Sequence, residues 1–304
     1  MDKNHRLYHY ILGIKFDSTS SASVLRIVSQ KIADFGKTEA KTSNFLIVTP
    51  NAEQVTLSLK DKLFAKIINS ASISLPDGVG ILAADEFLNK PVPQNRVIRV
   101  PVLLMQGVQV GLATLLGKAP NDLTLIKGRE LFLDLVRLAN KKSWRVVFLG
   151  DSLGSAQNAA EALRLSYKRI KIHPLTGPKL TTEGKPETRE DIKLENELLV
   201  QINKIHPHLL FIGFGAPKQE KWMYRQSKKL KVGATMVVGG TFDFVSGKTK
   251  LPPKWIENMG LEAAWRLITK GQKLGRVLTA TVVFPWKIFV YGVSREKSGL
   301  TARK

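Results

Sequence analysis

Residues 211–220 read Phe-Ile-Gly-Phe-Gly-Ala-Pro-Lys-Gln-Glu. The run begins as a buried strand, Leu209-Leu210-Phe211-Ile212, and breaks at Gly213, Gly215 and Pro217. Lys218-Gln219-Glu220 then opens a helix reaching about Lys229. A strand that stops in a Gly-rich turn at a helix N-terminus is how open α/β sheets offer backbone N–H groups to phosphate. Lys218 adds a mobile cation at the same place. The spacing departs from the dinucleotide fingerprint, because Lys218 stands where the third Gly belongs.

Outward from this stretch, apolar strands alternate with helical segments. Strands are expected at Tyr10–Ile14, Phe45–Val48, Ile73–Leu75, Arg145–Leu149, Ile170–Ile172 and Ala234–Val238. Helices are expected over about 20–35, 52–68, 81–88, 130–140, 155–165 and up to Ile205. Residues 176–190, rich in Thr, Gly, Lys and Glu, read as a mobile loop. The alternation predicts an α/β fold: a mostly parallel open sheet with helices on both faces, in Rossmann-like halves. An α/β domain over 1–247 and a helical, basic C-terminal appendage over 248–304 are expected.

Two apolar regions stand outside this rhythm. Residues 97–126 form an insertion with scattered Gly and Gln and no clean period, too broken for a spanning helix. It reads either as a surface element touching lipid or a partner, or as a buried helical hairpin. In the tail, Trp255–Ile268 suits an amphipathic helix, and residues 277–293 are apolar but carry Pro285 and Lys287. That makes a poor span and a better headgroup-layer helix. The alternative is a tail packed on its own core.

The 304 residues carry a formal charge of +22. From Lys248 onward twelve Lys/Arg face three Glu. Such a field favours polyanions: phosphorylated substrates, anionic lipid or nucleic acid. Excess lysine also serves solubility alone. No basic and aromatic platform for nucleic acid is present, so nucleic acid is not an expected partner. There are no cysteines, which excludes disulfides and thiolate metal sites. His173, His206 and His208 lack metal spacing. Met1–His5 has no apolar run, so no secretory signal is expected.

Ligands of open α/β sheets bind beyond the carboxyl ends of the strands. Four such ends carry polar or Gly-rich signatures: Thr49-Pro50-Asn51, Pro76-Asp77-Gly78-Val79-Gly80, residues 213–220, and Gly239–Asp243. Asp77 is the carboxylate best placed to face a cleft and act as a general base. Its competing reading is a cap for the next helix. Asp243 either binds a sugar hydroxyl or serves as a turn residue.

Together these pieces, with Gly260-Leu261-Glu262 through Arg266, resemble the WecG/TagA/CpsF family of bacterial glycosyltransferases over about residues 10–290. The resemblance implies transfer of a sugar, typically N-acetylmannosamine, from a UDP donor to undecaprenyl-pyrophosphate-linked N-acetylglucosamine. It implies inversion, no metal or other cofactor, and a product for cell-surface polysaccharide such as teichoic acid. Asp77 is then the general base. Thr49, Asn51, Arg96, Lys218, Gln219 and Asp243 bind substrate, and Arg266, Lys273 and Arg276 of the appendage reach the diphosphates. A cytoplasmic enzyme held peripherally on the inner face of the membrane is implied, with an anionic lipid surface and a homo-oligomer among the expected partners. One departure stands out. The family's Arg-Val segment is followed almost at once by Gly-x-Asp-Leu. Here about 30 residues separate Arg96-Val97 from Gly128-Arg129-Glu130-Leu131, with Glu in place of Asp.

Overall fold

The structure is a computed structural model. It describes residues 7–35, 45–117, 123–151, 153–249 and 274–295, together with Pro252, Pro253, Ile256 and Trp265. The expected Trp255–Ile268 helix, Arg266 and Lys273 fall outside these stretches.

Six parallel strands make the sheet: β3 (Leu46–Val48), β4 (Ile73–Ser74), β5 (Arg145–Gly150), β6 (Lys171–Thr176), β7 (Leu209–Gly213) and β8 (Ala234–Val237). Their spatial order is β4-β3-β8-β7-β5-β6. Strands buried on both faces read as near-continuous apolar runs, and β7 shows why. Leu209 and Phe211 point into one apolar cluster, Leu210 and Ile212 into the other. The period of two thus feeds two cores from a single strand.

One core takes α2 (Ala52–Ser58), α3 (Lys62–Asn69), α4 (Val79–Asn89), α8 (Arg189–Ile205) and α9 (Lys218–Gln226). The other takes α1 (Ser21–Phe35), α6 (Gly128–Lys142), α7 (Ser155–Ser166) and α10 (Thr241–Val245). The helix after β3 and the helix after its neighbour β8 therefore leave on opposite faces. That divergence opens a crevice at the carboxyl edge, where ligands of such sheets bind.

Several expectations need correction. Tyr10–Ile14 is not one strand. Leu12 (φ 49°) and Gly13 (φ 82°) turn a hairpin between β1 (Leu7–Ile11) and β2 (Ile14–Ser18). Two successive positive φ angles suit a tight two-residue turn. The helix expected over 52–68 is two, because Asp61 caps a fresh start by accepting from the Phe64 N–H at 2.9 Å. The loop at 176–190 is not loose. Leu180 bridges Pro186, Glu183 reaches Lys221 at 2.8 Å, and a side chain on Gly184 would lie 2.7 Å from the Trp222 nitrogen.

The largest correction is the apolar insertion. Residues 96–115 form one continuous helix, α5, of 20 residues, despite Pro101. At the C-terminus, α11 (Leu274–Leu278), a π-helical turn (Thr279–Val283) and α12 (Phe284–Ser294) follow without a break. The π turn lies directly before Pro285, whose missing N–H disturbs the regular ladder. Both helical stretches are long and apolar enough to cross a membrane.

Candidate active site

A cleft of about 390 Å³ lies at the carboxyl edge. Its walls come from the ends of β3 (Thr49, Asn51), β4 (Asp77), β7 (Gly215, Ala216) and β8 (Val238, Gly239). The four strand-end signatures therefore meet in one hollow, although Asp243 of the fourth is not among its lining residues.

Asp77 is set by backbone on both sides. Its N–H donates to the Pro50 carbonyl at 3.2 Å, tying the β4 loop to the β3 loop. The N-cap of α4 is Gly78 at φ 101°, with no side-chain cap. Asp77 is thus not the helix cap. A φ of that sign is costly for any residue with a Cβ, so Gly78 lets the chain turn away while Asp77 stays on the cleft wall.

Gly128, the first residue of α6, approaches from the other side. A Cβ there would stand 2.6 Å from Thr49 Oγ1 and 3.4 Å from Asp77 Oδ2. Only glycine lets the start of α6 press against both side chains. Lys127 and Arg129 flank Gly128 on the cleft wall. The signal for these residues was present in the sequence as the Gly128-Arg129-Glu130-Leu131 segment.

Gln219 and Glu220 hold the loops together. Gln219 Oε1 accepts from the N–H of Gly215 and the N–H of Gly239, each at 3.1 Å. Gln219 Nε2 donates to Glu220 Oε1 at 2.9 Å, and Gln54 Nε2 donates to the same oxygen at 3.3 Å. Gln54 in turn closes a capping box with Asn51 at the start of α2. One buried carboxyl thereby links the loops after β3, β7 and β8. Burial pushes the Glu220 carboxyl up to about 7, and the Gln219 side chain and the Glu220 backbone N–H pull it down only partly. The next two residues anchor the helix itself. Lys221 pairs with Asp61 at 2.6 Å and with Glu183, and Trp222 Nε1 donates to Glu195 Oε1 at 2.8 Å.

This network corrects the sequence reading of residues 213–220. The Gly215 amide serves Gln219 and is not held out for phosphate. Lys218 does not line the cleft. Arg96 begins α5, is exposed, and likewise lies off the cleft. Asp243 sits on α10 with Oδ1 3.7 Å from Lys248 Nζ, while its neighbours Thr241 and Phe244 face the hollow. The cations on the walls are instead Lys127, Arg129 and Arg276. Arg276 of α11 reaches the mouth and donates through Nε to both Glu53 carboxylate oxygens, at 2.8 and 2.9 Å.

The sequence profile of the family described as "Glycosyl transferase WecG/TagA/CpsF family" matches residues 9–105 and 101–298. The chain belongs to the WecG/TagA/CpsF family of glycosyltransferases. Among its relatives are N-acetylglucosaminyldiphosphoundecaprenol N-acetyl-beta-D-mannosaminyltransferases of Staphylococcus aureus strains NCTC 8325 / PS 47 and COL. Each is 24% identical over 295 residues, covering 97% of this chain and 95% of the relative. In this glycosyltransferase the cleft at the β3/β8 divergence is the candidate site of hexosyl transfer. The two matched stretches meet at residues 101–105, inside α5.

Proposed function

We propose that this glycosyltransferase moves N-acetylmannosamine from a UDP donor to N-acetylglucosamine on undecaprenyl pyrophosphate, inverting the anomeric centre. The observation that carries the reading is a single hollow that Asp77 shares with Lys127, Arg129 and Arg276, its other lining carboxylate, Glu53, being paired with Arg276. The acceptor hydroxyl oxygen attacks the anomeric carbon as Asp77 takes its proton. The bond from that carbon to the β-phosphate oxygen breaks, and UDP leaves. Charge building on the β-phosphate is met by Lys127, Arg129 and Arg276, so the reaction as drawn uses no metal. Fixed cations in a walled site act more strongly than in water, because nothing reorganises as charge develops. The names of the relatives support donor and acceptor. The +22 charge and the basic tail support work at the anionic inner face of the membrane.

The test is a panel of UDP-sugars, including the corresponding uronic acid and glucose, with one lipid-pyrophosphate acceptor and UDP release as the readout. Release with UDP-N-acetylmannosamine above the rest supports the reading. Preference for another sugar moves the donor assignment, and no release with any donor overturns it.

A further inference from the structure

In α5, Val100, Leu104, Val108 and Leu112 recur at every fourth residue, and Leu116 continues the row. A helix of a soluble protein turns such a stripe to its core. Here the stripe faces outward: Val108 is 61% exposed, Leu112 56% and Leu116 68%. Only Leu103 and Val110 of α5 are fully buried. The C-terminal helix repeats the pattern with Leu274, Leu278, Val282, Trp286 and Val290, all exposed. Exposed apolar surface on this scale marks a binding face.

The two helices are locked together. Arg99 Nη1, in the first turn of α5, donates to the carbonyls of Val293 and Arg295 at the end of α12, at 3.3 and 3.2 Å. Both helices rest on α4 and on each other. Phe87 of α4 packs against Gly107 of α5 and Gly292 of α12, where a side chain on Gly292 would come within 2.8 Å of its ring. The inner faces are thus held by protein, through Leu103 and Val110 on α5 and Phe284 and Ile288 on α12. Protein beneath both helices leaves their outer sides for a partner, which suits a helix lying in a membrane surface.

We infer that α5 forms an in-plane lipid-embedded face that extends the apolar outer side of residues 274–294. The occupant is the acyl and headgroup boundary of an anionic bilayer. Arg96 at the start of α5 suits phosphate headgroups, and exposed Trp286 and Tyr291 suit the interfacial layer. The same C-terminal segment turns Arg276, Ala280 and Thr281 to the cleft and Leu278 and Val282 outward. Resting on the transfer reading above, this places a polyprenyl tail in the bilayer while its diphosphate meets the cleft.

The chain has no cysteine, so Leu112→Cys accepts a single environment-sensitive fluorophore on the full-length protein. Adding phosphatidylglycerol vesicles is expected to blue-shift its emission, and lipids carrying a quencher in the acyl chain should quench it. Vesicle flotation of Leu104→Asp/Leu112→Asp is expected to fall at least about tenfold below the parent. Unchanged emission together with unchanged flotation overturns the inference. So does a parent that is dimeric in solution, becomes monomeric on this substitution and floats equally well, because a second copy then covers the face. Flotation and fluorescence need no turnover, so they stand apart from failure of the sugar-transfer reading.

Discussion

The cleft and the helical face break the rule of apolar inside and polar outside in opposite directions. At the cleft, Gln219 and Glu220 are almost wholly buried. Both Glu220 hydrogen bonds go to its Oε1, and Oε2 has no partner among the described residues. At the helical face, the α5 stripe and Trp286 stand in the open. Buried polar groups cost stability unless satisfied, and exposed apolar stripes invite association. Neither is needed to hold the two apolar cores together. The comparison separates two departures from folding economy: one region ties polar groups around a cleft, and the other leaves apolar surface in the open.

The sharpest break in the comparison comes from the cleft wall. Asp77→Asn should lower turnover by roughly 10²–10⁴-fold, the usual worth of a positioned base, with the melting temperature unchanged. Steady-state UDP release and thermal unfolding read the two effects. Near-normal turnover removes Asp77 from the chemistry.

Gly128→Ala comes next. The new methyl would sit 2.6 Å from Thr49 Oγ1 and push α6 off Thr49 and Asp77. A shift of about 1 Å at the reacting groups is expected to cost roughly 10²-fold in rate. Overpacking should remove about 1–3 kcal/mol of stability. Denaturant unfolding beside kcat separates the two.

Arg276→Ala and Glu53→Ala sharpen the reading of the cleft mouth. The pair is half-exposed, so its loss should change stability by less than about 1 kcal/mol. If Arg276 meets developing phosphate charge, its removal lowers kcat/KM at least about tenfold, while Glu53→Ala stays near the parent. Equal effects from both would make the pair a strut and nothing more.

The smallest effect is a pH dependence. The Glu220 carboxyl is raised from an ordinary 4.5 to about 7, so the folded chain holds a proton there that the unfolded chain has released. Stability contributed by this group is full below pH 4.5 and declines as pH rises toward 7. Glu220→Gln should flatten that part of the melting-temperature profile. A slope identical in parent and variant assigns it to other groups.

Much of the sheet was legible, because strands buried on both faces advertise themselves as short apolar runs. Asp77 and Thr49 were legible for a related reason: polar residues at strand ends have one edge of the sheet to occupy. Lys218 misled, since a cation beside a Gly-rich turn suggests phosphate, yet the turn's amide was taken by Gln219 one residue on. Gly128 was visible as a motif fragment, but its closeness to Asp77 depends on how α6 docks, which no local pattern encodes. α5 was hidden by Pro101 and scattered Gly and Gln, which blurred the fourfold repeat. Its register emerged only with the outward direction of each side chain.

The link between the two regions is open to one direct measurement: transfer by Leu104→Asp/Leu112→Asp to a vesicle-embedded acceptor and to a short-chain, water-soluble one. The variant should lose most transfer to the embedded acceptor and keep parental rates with the soluble one. Equal rates on both, or equal loss on both, would contradict a lipid-facing surface that serves the cleft.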